Sequence, residues 1–379
     1  MLNRRLIRIR AMQALYAYEQ SKKANFLLAQ DLIRDRFAPD LNSMEKQDKT
    51  KLAGMTKLGI QLLEEQFAIT PQTEDFDPPL AIAKVVKEAA SDFIVNNRND
   101  QQQMTLRILK DADKVFDVYY KLLSLYLSLA DLAAADKNHE GKIRLGDNKL
   151  LKELRENDVL EMQCLKRNIN WTGETDVVKA IYREVLRNNP KYLEYCSRLN
   201  HTLEEEIALL KYMVKNVFLK SEQSVNFFER YHLYWPEDKE TLRSMVSHTF
   251  QNYEEVGEIS VSTPDDDWQE RKDFLKTLFV TCIQDEKDLM EYILPNLKNW
   301  EYERVADTDK ILLRMALVEM MEYPSIPVKV TINEIIEIAK NYSTPKSSQF
   351  INGILDKLSK ELMASGKIRK SGRGMLDNK

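Results

Sequence analysis

The chain has 379 residues, with 60 acidic against 56 basic side chains for a net charge of −4. That near-neutral balance excludes nucleic-acid binding through overall charge, so only a local patch could carry it. Three scattered cysteines (Cys164, Cys196, Cys282) exclude a disulfide scaffold and fit a reducing, cytoplasmic setting. The length suits two domains or one core with a large insertion. Hydrophobic content of 43%, charged content of 31% and only 10 Gly and 11 Pro predict an all-α protein of long amphipathic helices. No apolar run reaches the length of a membrane span.

The opening stretch MLNRRLIRIRAMQALYAY has four arginines and no acid. Leu2, Leu6, Ile9, Gln13 and Tyr16 fall at helical spacing, with Met12 beside them, and predict one buried face. Arg4, Arg5 and Arg8 leave on another face, and Arg4 and Arg8 stand one turn apart. An acid-poor, arginine-bearing start is also how a mitochondrial transit peptide reads. The lack of serine richness and the periodic helix that follows argue against that reading.

Periodicity then predicts helices near 25–37, 45–67 and 79–96, broken at Phe37-Ala38-Pro39-Asp40 and between Thr70-Pro71 and Pro78-Pro79. A long helix near 102–134 carries the stripe Leu106, Leu109, Val115, Phe116, Tyr119, Leu122, Leu123, Tyr126, which reads as core. Residues 137–150 form a polar connector. Helices follow near 149–156, 175–188 and 203–220, and another starts at Trp235-Pro236. Val256–Val261 is the one expected strand, too short to build a sheet. Ser262 to Asp267 opens a helix with Pro in the first turn and acids at its positive end. Helices near 267–283, 285–297, 307–322, 331–342 and 346–363 complete the pattern. The tail, with Lys367, Arg369, Lys370, Arg373 and Lys379 against one acid, is expected to be flexible.

No catalytic chemistry stands out. His139, His201, His232 and His248 form no metal-ligand spacing, and no Gly-rich nucleotide loop or G-x-S-x-G elbow occurs. The Asp265-Asp266-Asp267 triplet has no partner cluster and reads as a solvated cap. Neither a metal site nor a cofactor is expected.

That leaves the arginine block. Its plainer reading is a solvated helix face. Against this, no acid neutralises it before Glu19, and Gln13 and Tyr16 on the same helix can bond to or stack on bases. Arginine suits phosphate because its planar fork donates two hydrogen bonds at once.

Residues 309–358 contain LLRMALVEM, IPVKVTINEIIEIAK and FINGILDKL in that order. They resemble the C-terminal half of the NusB family of bacterial transcription antitermination factors, and RRLIRIRAMQALYA resembles that family's first helix. The resemblance covers roughly 1–22 and 265–362, more weakly 203–255. It implies a NusB-like helical bundle with a long inserted helical region after the first helix: first helix 1–22, insertion 24–200, remaining core 203–363 and basic tail 364–379. It further implies a non-catalytic factor that binds boxA-type nascent ribosomal RNA together with NusE, within the transcription elongation complex and away from any membrane.

Carried over residue by residue, the resemblance makes Arg4, Arg5, Arg8, Gln13 and Tyr16 RNA contacts. Phe350 joins them at the RNA edge, with core packing as its other reading. Lys346 adds charge where family members commonly carry acid. Asp309, Lys310 and Glu319 fall on the helix near the RNA and NusE surfaces; for Asp309 a helix-start acid is the plainer role. Gly353 is expected to let another helix approach closely. Two other classes compete: a helical protein-interaction scaffold that has lost specific RNA binding, and an RNA-modifying enzyme with a NusB-like module. The second would need a separate α/β cofactor domain, which 24–200 does not read as.

Overall fold

The computed structural model describes residues 3–42, 44, 46–68, 78–136, 143–297 and 302–377. Leu2, His139, the 137–142 part of the expected connector, most of the break before Pro78 and Lys379 lie outside the described residues. The helices are α1 (Arg4–Arg36), α2 (Lys49–Phe67), α3 (Leu80–Ala135), α4 (Lys149–Arg155), α5 (Asp158–Arg167), α6 (Thr175–Ala180), α7 (Pro190–Cys196) and α8 (Leu203–Met213). They continue with α9 (Glu222–Tyr231), α10 (Trp235–Gln251), α11 (Tyr253–Val256), α12 (Asp266–Gln284), α13 (Glu286–Ile293), α14 (Asp307–Glu322), α15 (Val328–Tyr342) and α16 (Ser347–Ala364). The fold is all-α, and no strand occurs among the described residues.

Local chemistry sets the ends. Thr202 Oγ1 accepts from Glu205 N at 3.3 Å while Glu205 Oε2 accepts from Thr202 N at 3.0 Å, a reciprocal capping box at the start of α8. Asn168 at φ 53° closes α5, and Gly257 at φ 79° closes α11. That glycine also stops the expected strand. Val256 ends a helix, and Ile259 and Val261 are buried in an extended segment without a ladder.

The chain forms two compact units, Met1–Leu6 with Lys110–Lys272, and Ile7–Leu109 with Asp273–Lys379. This partition differs from boundaries at 22–24 and 200–203. At the first of these boundaries the reason is that α1 does not end near residue 22. Its polar stretch Lys22-Lys23-Ala24-Asn25 looks like a break but is paired. Lys22 reaches Glu286, Lys23 reaches Asp307, and Asn25 Nδ2 donates to Asn97 Oδ1 at 2.9 Å. Likewise 79–96 and 102–134 are parts of the single helix α3.

In the first unit, the second half of α3 is the core rod. Val115, Phe116, Tyr119, Leu122, Leu123 and Tyr126 are all buried, whereas Leu106, expected on the same stripe, lies in the second unit's part of α3 and is exposed. Tyr126 Oη donates to the Leu210 carbonyl at 2.6 Å, and burial raises its pKa well above the usual phenol value. Phe116 meets Trp268 edge to face at 5.3 Å. Helices α5, α7 and α9, not expected from periodicity, belong to this unit.

In the second unit, α14 is central, with every residue from Ile311 to Met320 buried. It packs against α13, α15 and α16. The C-terminal half of α1, α2 and the N-terminal half of α3 share a smaller core in which Phe26, Phe67 and Phe93 pack edge to face. The segment after α16, expected to be flexible, is bonded instead. Ser371 N donates to the Pro324 carbonyl at 3.1 Å, Lys370 Nζ to the Tyr323 carbonyl at 3.0 Å, and Ile368 is buried.

Candidate nucleic-acid interface

Helix α1 starts without an acid in its first turn. Asn3 Oδ1 accepts from Leu6 N at 2.9 Å and caps it. Arg4 and Arg5 are exposed there. Further along, Gln13 is half-buried and Tyr16 is 44% exposed.

Arg8 corrects the expectation. It was placed on a cationic outer face but is 2% exposed, and Arg10 is equally buried. Arg8 Nε donates to Glu319 Oε2 at 2.6 Å and Nη2 to Glu319 Oε1 at 2.6 Å. Thr331 Oγ1 donates to the same Oε1 at 2.7 Å, and Glu334 approaches Arg8 Nη1 at 3.7 Å. The Phe274 ring lies 5.5 Å from the guanidinium. Arg8 and Glu319 were assigned to RNA and partner surfaces respectively. They are instead a bidentate internal pair that ties α1 to α14, with Thr331 and Glu334 of α15 around it.

Asp309 is also internal. Its carboxylate accepts from Ser343 Oγ and Ser347 Oγ, each at 2.6 Å, linking α14 to both ends of the α15–α16 turn. Ser347→Ala is expected to destabilise this unit by about 1.5–3 kcal/mol, the range for a hydrogen bond to a charged group. Urea unfolding followed by circular dichroism checks it.

Lys310 is mostly covered. It lies 3.7 Å from Asp307 and 4.3 Å from the centre of the Tyr302 ring. Lys346 is exposed, with no ion pair among the described residues, and Phe350 is half-buried one turn on. Gly353 does not serve a close helix approach, since a Cβ there would meet nothing within 4 Å.

A second buried network escaped the sequence reading. Arg314 donates to Glu19 Oε1 at 2.6 Å and to Glu286 Oε1 at 2.8 Å, and Lys22 Nζ reaches Glu286 Oε2 at 2.5 Å. Burial works against the Arg314 charge, but Glu19 and Glu286 outweigh it and raise its pKa. The signal was present. Arg314 and Glu319 are lone charges inside the apolar run ILLRMALVEMM, and a charge stranded there must find a buried partner.

Residues 240–360 match the NusB family. Three relatives are each called "Transcription antitermination protein NusB". The Chloroherpeton thalassium protein is 47% identical over 28% of this chain and 50% of its own length. The Salinibacter ruber protein is 39% identical over 31% of this chain and 72% of its own length. The Bacillus cereus protein is 35% identical over 32% of this chain and 95% of its own length. The chain thus spans about half of the first of these relatives and most of the other two. No solved structure matches. The matched stretch runs from α10 through most of α16, holding Asp309, Lys310, Glu319, Lys346 and Phe350 but not the arginine block. Helical architecture, motif order and these relatives agree: this chain belongs to the NusB family.

Proposed function

We propose that this protein is a non-catalytic, cytoplasmic RNA-binding transcription antitermination factor. Its RNA is a boxA-type segment of nascent ribosomal RNA, bound together with NusE in the elongation complex. The observation that carries the reading is the exposed Arg4–Arg5 pair on an acid-free helix start in a NusB-family chain. Tyr16 and Phe350 offer rings for stacking and Lys346 adds a phosphate contact, whereas the Gln13 amide oxygen is buried. Arg8 leaves the contact set because its fork is filled by Glu319. Asp309 and Glu319 act on a partner surface only by holding α14 in place. Lys310, whose side chain is 15% exposed, remains the partner-facing residue of the three.

Fluorescence anisotropy of boxA-type and scrambled RNA, each with and without NusE over a salt series, tests this. Tighter boxA binding with NusE is expected. Arg4→Gln/Arg5→Gln should reduce the salt slope of log K by about 1.4, at about 0.7 per single-strand phosphate contact. Equal binding of both RNAs, or an unchanged slope in the folded double variant, would return the chain to the scaffold reading.

A further inference from the structure

The geometry points to a second RNA-binding element in this protein, the anchored basic segment Lys367–Arg373, which would grip the phosphate backbone. This rests on the RNA-binding reading above. The segment lies beyond residue 360, where the family match ends.

Three observations carry it. The first is charge. From Leu362 to Leu376 there are four cations and no acid. The α16 lysines just before are neutralised, Lys360 by Asp356 at 2.7 Å and Lys357 near Glu361 at 3.7 Å. Lys367, Arg369 and Arg373 are exposed and make no ion pair among the described residues. The turn that anchors them contributes one exposed acid, Glu322.

The second is rigidity. Lys367 N and Ile368 N both donate to the Leu362 carbonyl, at 2.9 and 3.1 Å, and Ile368 is buried. Lys370 and Ser371 bind the Tyr323 and Pro324 carbonyls. A Cβ at Gly374 would run into the Pro324 carbonyl oxygen, so glycine lets the chain lie flat against that turn. Cations held on a fixed backbone lose less freedom on binding phosphate than cations on a loose tail.

The third is location. The anchor follows the C-terminal end of α14, and Gly372–Asp377 packs against α15. Arg8 pairs with Glu319 and approaches Glu334 on those same two helices. The basic segment therefore decorates the end of this unit at which Ile7 and Arg8 lie.

The test uses the full chain and a fluorescein-labelled 20-nucleotide single-stranded RNA across a salt series. Lys367→Gln/Arg369→Gln/Arg373→Gln removes charge and leaves Lys370, Ile368 and the backbone bonds in place. A circular dichroism melt checks that it folds. Loss of three contacts is expected to reduce the salt slope by about 2 and affinity near physiological salt by roughly 10- to 50-fold. Lys357→Gln/Lys360→Gln, which removes neutralised charges, should change affinity less than threefold. An unchanged slope in the triple variant, with wild type still binding, overturns the inference and leaves the function reading intact. Wild type that binds no RNA at low salt overturns both. Met375 and Leu376 are exposed beside Arg373, so phosphatidylserine vesicles form the other arm. Loss of vesicle binding with RNA binding retained would assign the segment to a lipid surface and overturn the inference.

Discussion

Arg8→Ala is expected to lower the stability of its unit by about 3–5 kcal/mol, the cost of leaving one member of a buried pair uncompensated. Glu319 is fully buried, and without Arg8 its carboxylate keeps the Thr331 hydroxyl but loses both guanidinium bonds. An ordinary surface arginine would change stability by no more than about 0.5 kcal/mol. Urea unfolding by circular dichroism, with hydrogen exchange on α14 peptides, separates the two cases. Arg8→Lys should fall between them, because it restores charge but not the fork. Replacing both partners, Arg8→Met with Glu319→Leu, should cost less than Arg8→Ala alone. Wild-type stability in Arg8→Ala together with weakened RNA binding would put Arg8 back on the RNA face. An alanine triple variant of Arg4, Arg5 and Arg8 would therefore mix a folding defect with a binding defect, so Arg4 and Arg5 are tested without it.

Arg314→Met should cost about 3 kcal/mol, the lower end of the same range, because its partners are partly open and Lys22 still faces Glu286. It should also change the acid limb of stability. Burial alone would push the Glu286 carboxyl up, but Lys22 and Arg314 outweigh it and hold it below its usual 4.5. For Asp307 the hydrogen bond from Lys23 holds the carboxyl below 3.8. A carboxyl depressed in the folded state stabilises fully above its unfolded pKa, and that stability is lost as pH falls through the folded value. Wild type should therefore lose stability below about pH 4.5, and Arg314→Met should show a flatter loss because Glu286 has less depression to give up. Urea midpoints at neutral and acid pH measure this. Parallel acid limbs for the two proteins would remove Arg314 from the network.

The sequence by itself determined the helical class, the limits of α14, α15 and α16 to within about three residues, and the family, because periodic apolar spacing and ordered motifs are local properties. The helix start at Trp235-Pro236 was legible for the same reason. Only the tertiary structure decided which charges face water. Arg5 and Arg8 are three residues apart in one uninterrupted basic stretch, yet Arg5 is exposed and Arg8 is filled by a glutamate 311 positions away. The continuity of α1 past Lys22-Lys23 depended on Glu286 and Asp307, again far along the chain. A basic tail with few apolar residues reads as loose until two carbonyls of the α14–α15 turn accept its hydrogen bonds. In each case a long-range partner fixed the outcome: desolvation forbids a buried charge without a counter-charge, and spacing along one helix does not say where that counter-charge will be.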